Sequence, residues 1–197
     1  DTGAFAVSGA FTDNMVIQRE KPVTIWGTAP RGEWVKVRFA GKCNTVEAVD
    51  GVWEVTLPEV VEYGGPYEMV ITIPAASDSI KLGNILVGDV WMCSGQSNME
   101  MSVEKCSTAD EALKAAEDMH NVRFFINAAG AYGDASGIPL ESPAGMWMQC
   151  NANTSRKLSA AAFIFAQYLH DNSAGNNGVP IGLVQSAWGG EARRDVG

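Results

Sequence analysis

A chain of 197 residues that is 46% hydrophobic and 19% charged falls in the ordinary globular range, with room for one large domain or two small ones. Its formal net charge of -9 sets a phosphate backbone against repulsion instead of counterion release, which excludes nucleic acid as an expected partner. No apolar run approaches the ~20 residues that span a bilayer, and Asp1-Thr2-Gly3-Ala4 lacks the basic and apolar regions of a signal peptide, so the expectation is a soluble protein without a membrane span, any signal already removed.

In chain order, residues 15–75 read as short strands, at 15–18, 23–27, 34–39, 53–57 and 67–73, rich in Val, Ile, Thr and aromatic side chains. Pro30-Arg31-Gly32, Asp50-Gly51 and Gly64-Gly65-Pro66 punctuate them with residues that tolerate tight-turn torsions. Val35, Val37 and Phe39 alternate with Lys36 and Arg38, giving one buried and one wet face. A small all-β, sandwich-like domain over residues 1–84 is the expectation.

The period then changes. Residues 85–93 form a nearly continuous apolar run, the pattern of a strand buried on both faces of a parallel sheet, ending at Ser94-Gly95-Gln96-Ser97. Thr108-Ala109-Asp110-Glu111 has the form of a capping box and predicts a helix. A strand at 122–126 follows, then a Gly-, Ala-, Ser- and Pro-rich surface excursion at 127–143, an apolar helix at 158–169, a turn at 171–178, and a strand at 181–184 leading into Trp188-Gly189-Gly190. Alternating strands and helices predict a doubly wound α/β domain over 85–197.

A parallel sheet carries its functional loops at the carboxyl ends of its strands, and the first of these strands delivers Ser97 there, after a glycine that permits a sharp turn. Amides of a helical turn starting near Ser97 would face a developing oxyanion, and Gly189-Gly190 arrives at the same edge with bare backbone N–H groups. Ser94 is the rival nucleophile, but it precedes the turn glycine. Asn98 either orients substrate or caps the turn. The two histidines, His120 and His170, fall before a strand and at a helix end, both at the edge opposite Ser97, and read as structural. Cys43, Cys93, Cys106 and Cys150 are widely spaced with no C-x-x-C pair, which favours structural thiols over a metal and leaves their pairing open. Trp26, Trp34, Trp53 and Tyr67 are either core or a sugar-stacking surface, so a non-catalytic carbohydrate-binding protein is the competing class.

Residues 88–100, Gly-Asp-Val-Trp-Met-Cys-Ser-Gly-Gln-Ser-Asn-Met-Glu, resemble the nucleophile block of the sialate O-acetylesterase family within the SGNH hydrolases. The likeness extends through residues 11–19, 23–27, 158–163, 179–184 and 186–190. The resemblance implies an SGNH-like three-layer α/β/α domain, incomplete here, behind the small β domain. It implies that Ser97 is the nucleophile, that its own N–H and one from Gly189 or Gly190 form part of the oxyanion hole, and that Gln96 and Asn98 bind substrate. The implied substrate is an O-acetylated glycan, 9-O-acetyl sialic acid first and acetylated xylan second, with no cofactor and no metal, in a secreted or periplasmic setting. Residues 191–197 depart from the family pattern, and its Gly-Glu-Asn-like segment and Asp-x-x-His pair are not present. With no base near Ser97, this chain alone is expected to be nearly inactive.

Overall fold

The structure, a computed structural model, describes residues 3–60, 62–127, 145–172 and 178–187. It is a mixed α/β protein. Alternating apolar side chains fold the first part into β1 (Ala6–Val7), β2 (Val16–Gln18), β3 (Val23–Thr28), β4 (Trp34–Phe39), β5 (Lys42–Glu47), β6 (Val52–Leu57), β7 (Gly64–Ile73) and β8 (Asp78–Gly95). There follow α1 (Ser97–Glu100), α2 (Ala109–Ala116), β9 (Val122–Ile126), β10 (Trp147–Gln149), α3 (Ala160–Asp171) and β11 (Ile181–Ala187), with single 3-10 turns at Val103–Lys105 and Thr154–Lys157.

The expected strands at 34–39 and 122–126 have the expected ends, and the others shift by a residue or more. Unforeseen are β1, the largely exposed β5, β10, and the first half of β8. The helix expected at 158–169 begins later, because residues 154–157 take a 3-10 turn and Ser159 caps α3 by accepting the Ala162 N–H at 3.3 Å. The predicted capping box at Thr108 is not formed: α2 starts after it, but its side chain makes no cap bond.

Two sheets result. The smaller is antiparallel, in the order β1-β3-β6. Among the described residues the larger has eight strands in the order β10-β9-β11-β8-β7-β4-β5, with β2 alongside β8. Inward-facing residues of both, including Ile25, Val35, Val37, Phe39, Leu57 and Ile71, build one hydrophobic cluster. Each such side chain, fully removed from water, contributes roughly 1.5–3 kcal/mol before ordering costs.

The strand β8 carries the chain from this cluster to a second one. Residues 78–87 pair antiparallel with β7, residues 86–88 parallel with β2, and residues 89–95 parallel with β11. A division after residue 84 therefore falls inside a continuous strand. At the crossing Gly88 is required, since a Cβ there would lie 2.0 Å from the Pro180 carbonyl oxygen. Arg19, just after β2, grips Asp89 with two hydrogen bonds of 2.9 and 3.1 Å, and the Val90 N–H donates to the Gln18 side-chain oxygen at 2.8 Å.

The helices α2 and α3 pack on one face of β8, β9 and β11 through Leu113, Phe163, Phe124, Leu183 and Cys93. The opposite face meets the first cluster through Phe125, Trp147, Val90 and Val184. Continuous burial of 85–93 is not observed: Trp91 and Met92 are 44% and 69% exposed. Trp91 is only partly covered, by an edge-on contact with Phe165 at 5.1 Å, and no described element lies over Met92. The excursion predicted at 127–143 lies, apart from Asn127, outside the described residues.

Candidate active site

Parallel pairing with β11 brings β8 to the carboxyl edge of the sheet, where its last residue, Gly95, has φ 154°. A side chain there would be strained, and its Cβ would stand 3.2 Å from that of Met99. The reversal lets Gln96 cap a single helical turn, whose Met99 and Glu100 N–H groups donate to the Gln96 carbonyl at 2.9 and 3.0 Å, and the Met101 N–H donates to the Ser97 carbonyl at 3.0 Å. Ser97 opens that turn, and its N–H and that of Asn98 have no backbone acceptor among the described residues. Gln96, Ser97 and Asn98 are all exposed. A hydroxyl beside free amides at a strand's carboxyl end can attack a carbonyl while those amides meet the negative charge that develops on its oxygen.

Ser94 is also exposed, but it remains in the ladder of β8, paired with Ser186 of β11. Ala187, the last described residue of β11, stands opposite Gly95, abreast of the turn that Ser97 opens. Gly189 and Gly190 lie outside the described residues.

The turn is anchored from below by residues the sequence reading missed. Gln185 on β11 is buried, and its side-chain oxygen accepts the Ser159 N–H at 2.7 Å. The Ser159 hydroxyl, fully buried, donates to the Met99 sulfur at 3.2 Å, and the Ala160 N–H donates to the Met101 carbonyl at 2.8 Å. A polar chain thus runs from the sheet through the start of α3 to α1. Its signals were a glutamine directly after the apolar 181–184 strand and a serine directly before an apolar helix.

The histidines stand at the other end of the domain. Val122, just after His120, is level with Ile181 and Asp89, so a strand length of roughly 20 Å separates it from Gly95. The start of α3 touches α1 and His170 lies near its far end, roughly 15 Å away along the axis, where it contacts Asp171 at 3.3 Å. Asp89 is held by Arg19, and Glu100 is exposed. Burial pushes the Cys93 thiol, beneath the turn, and the Cys150 thiol upward. All four cysteines are free thiols. Of the aromatic candidates, Trp53 is core, donating its indole N–H to the Thr28 carbonyl at 2.9 Å; Tyr67 packs on Phe39 and Trp26 on Phe11; Trp34 stays 56% exposed.

No protein-family model matches the chain. Curated relatives do: the sialate O-acetylesterase of Rattus norvegicus is 29% identical over 92% of this chain, and that of Homo sapiens 28% identical over 94%. The crystal structure of a carbohydrate acetylesterase from Xanthomonas citri superposes with a TM-score of 0.84 at 31% identity, covering 95% of this chain and 41% of that one. The chain is a relative of the sialate O-acetylesterases. It spans about a third of the length of those curated relatives, 35% for the rat and 37% for the human protein. The likeness to sialate O-acetylesterases covers nearly all of this chain, so it takes in both the strand-rich first part and the turn at Ser97.

Proposed function

We propose that the chain carries the nucleophile part of a serine esterase that removes O-acetyl groups from carbohydrates. The observation that supports this most is the exposed Ser97 at the start of a helical turn, at the carboxyl end of β8, in a chain related to carbohydrate acetylesterases. In this reading the Ser97 hydroxyl oxygen bonds to the acetyl carbonyl carbon while a base takes its proton. The carbonyl oxygen, now an anion, receives the Ser97 N–H and an N–H from Gly189 or Gly190. The bond from the acetyl carbon to the sugar oxygen breaks, the sugar leaves as an alcohol with the returned proton, and water releases acetate from the acylated serine. Gln96 and Asn98, exposed beside Ser97, hold the sugar. The fold is read as an SGNH-type α/β/α unit over 85–197 with α2 and α3 as one helical layer, supported by a β unit over 1–84, the two sharing β8. A glycan outside the cytoplasm makes the setting secreted or periplasmic. The substrate named is 9-O-acetyl sialic acid, with acetylated xylan as the alternative.

The distance of His120 and His170 from Ser97 makes another part of the protein the source of the base, so the 197-residue chain alone turns over poorly. The test uses the complete protein on an aryl acetate and on O-acetylated sialic acid and xylan. Ser97→Ala is expected to lower kcat by at least about 1000-fold and Ser94→Ala far less; near-normal deacetylation by Ser97→Ala would remove the assignment.

A further inference from the structure

The smaller sheet buries one side and shows the other to water. Ile25 and Val55, paired across β3 and β6, lie in the core, while the alternate positions set Thr24 opposite Thr56, Trp26 opposite Glu54 and Thr28 opposite Val52. Trp26 is 39% exposed, and Thr28, Val52, Glu54 and Thr56 are exposed around it. Its ring is fixed edge-on against Phe11, with centroids 4.5 Å apart. Among the described residues, neither the Trp26 indole N–H nor the Glu54 carboxylate makes a hydrogen bond or ion pair. The hydroxyls of Thr24 and Thr56 lie 3.0 Å from each other. They stand two residues along the strands, roughly 7 Å from the Trp26 and Glu54 pair. Glu54 is the one charge at the outward positions of β1, β3 and β6. Lys21 and Arg31, the cations flanking β3 and β6 in the chain, are outnumbered by Glu20, Glu33, Asp50 and Glu59.

This face is tied to the end of the larger sheet that exposes Ser97. The Ser8 N–H donates to the Trp26 carbonyl at 2.9 Å, and Phe11 packs on the indole. From the same segment, the Ala10 carbonyl accepts the Trp147 indole N–H at 3.1 Å, and the Thr12 hydroxyl accepts the Trp147 backbone N–H at 2.9 Å. Trp147 opens β10, which runs antiparallel to β9 and so begins at the carboxyl end of that strand. It is level with Phe125, Val184 and Met92, three residues before Gly95, and three strands, roughly 15 Å, across the sheet from β8.

A sugar has an apolar side of C–H groups and a rim of hydroxyls that both donate and accept. The exposed indole suits the first, while its free N–H, the Glu54 carboxylate and the two threonine hydroxyls suit the second. A chain bearing carboxylates or phosphates finds no cation on these strands and meets repulsion from Glu54 and from a net charge of -9. A protein partner would gain little from one indole and one valine set among threonines.

We infer that this face binds a neutral glycan through sugars remote from the acetyl group, so that long acetylated chains are held better than small acetyl esters. The inference rests on the carbohydrate-esterase reading for its choice of ligand. Its test reads binding, and a Ser97→Ala protein should bind as the unaltered one does, so the two readings fail separately. The complete protein would be run in affinity gels containing unacetylated xylan, a neutral glucan or polygalacturonate. Retardation by a neutral glycan but not by polygalacturonate is expected. Trp26→Ala should weaken it about tenfold and Glu54→Gln about threefold. For Trp26→Ala, KM on an acetylated polymer should rise by a similar factor while kcat on that polymer holds. Because Trp26→Ala removes packing on Phe11, a Thr56→Cys variant supplies a second measurement. Its new thiol, mapped by mass spectrometry, should react with maleimide in the native protein and be shielded by the bound glycan. A native Thr56→Cys protein that does not label would show the face covered by the rest of the protein and overturn the inference. No retardation by either neutral glycan, equal retardation by polygalacturonate, or full binding by a folded Trp26→Ala protein would overturn it as well.

Discussion

Replacing Gln185 by leucine keeps the volume of the side chain on β11 and removes the oxygen that receives the Ser159 N–H at 2.7 Å. Ser159 has no solvent exposure, so its N–H cannot turn to water instead. Leaving such a donor unpaired costs about 1–3 kcal/mol. At about 2 kcal/mol, the melting midpoint of a chain of this size should fall by roughly 4–8 °C. Ser159→Ala removes a different bond, the cap to the Ala162 N–H at 3.3 Å, and should cost about 1 kcal/mol. It also removes the contact from Ser159 to Met99, a residue of the turn that Ser97 opens. Because the two substitutions act on one chain of contacts, the double variant should depart from additivity by about 0.5 kcal/mol or more. Denaturant titration of all three variants measures the stabilities, and aryl acetate kinetics in the complete protein should show kcat falling more than KM rises, as expected if α1 is displaced. A Gln185→Leu loss below about 0.5 kcal/mol, with full kcat, would refute the view that this polar chain anchors the turn.

Gly95→Ala should destabilise by about 1–3 kcal/mol and lower activity, because φ of 154° and a Cβ 3.2 Å from Met99 admit no side chain without movement; melting and aryl acetate rates check it. Arg19→Ala should cost about 1.5–3 kcal/mol by leaving Asp89, itself only about a quarter exposed, without its two charged hydrogen bonds. The raised thiol values of Cys93 and Cys150 mean that the unfolded chain loses those protons first, so their contribution is full below the ordinary thiol value of 9.0 and falls as pH rises through the folded values. Stability measured from pH 7 to 10 should decline, less so for a Cys93→Ala, Cys150→Ala variant. Native maleimide labelling, read by mass spectrometry, should reach exposed Cys43 first and buried Cys93 and Cys150 only on unfolding.

Much of this was legible in the sequence for physical reasons. Strand β4 could be bounded from its alternation, and β9 from apolar side chains interrupted only by Arg123. The reversal at Gly95 could be found because a glycine after an apolar strand signals one at the sheet edge. Strand β5 was hidden: its side chains are almost all exposed, and it is held by backbone bonds to β4, which leave no hydropathy signal. The full length of β8 was hidden too, since residues 78–84 face water on one side while residues 85–88 are buried, so the pattern changes within one strand. The Gln185–Ser159–Met99 chain joins residues far apart in sequence, and only the register of β11 beside β8 makes it readable. The capping motif at Thr108 marked a helix correctly but not its cap bond, because Thr108 has ψ of 20°, off the extended backbone from which a side chain reaches the third amide.

Whether Ser97 is the residue that attacks decides the chemistry proposed for this site. The most direct measurement is peptide mapping by mass spectrometry after the complete protein is treated with a serine-directed fluorophosphonate, with and without an O-acetylated glycan as competitor. A single adduct on Ser97, suppressed by the competitor and matched by loss of esterase activity, is the predicted result. An adduct on Ser94 or on a serine elsewhere, or full activity with Ser97 fully labelled, would contradict it.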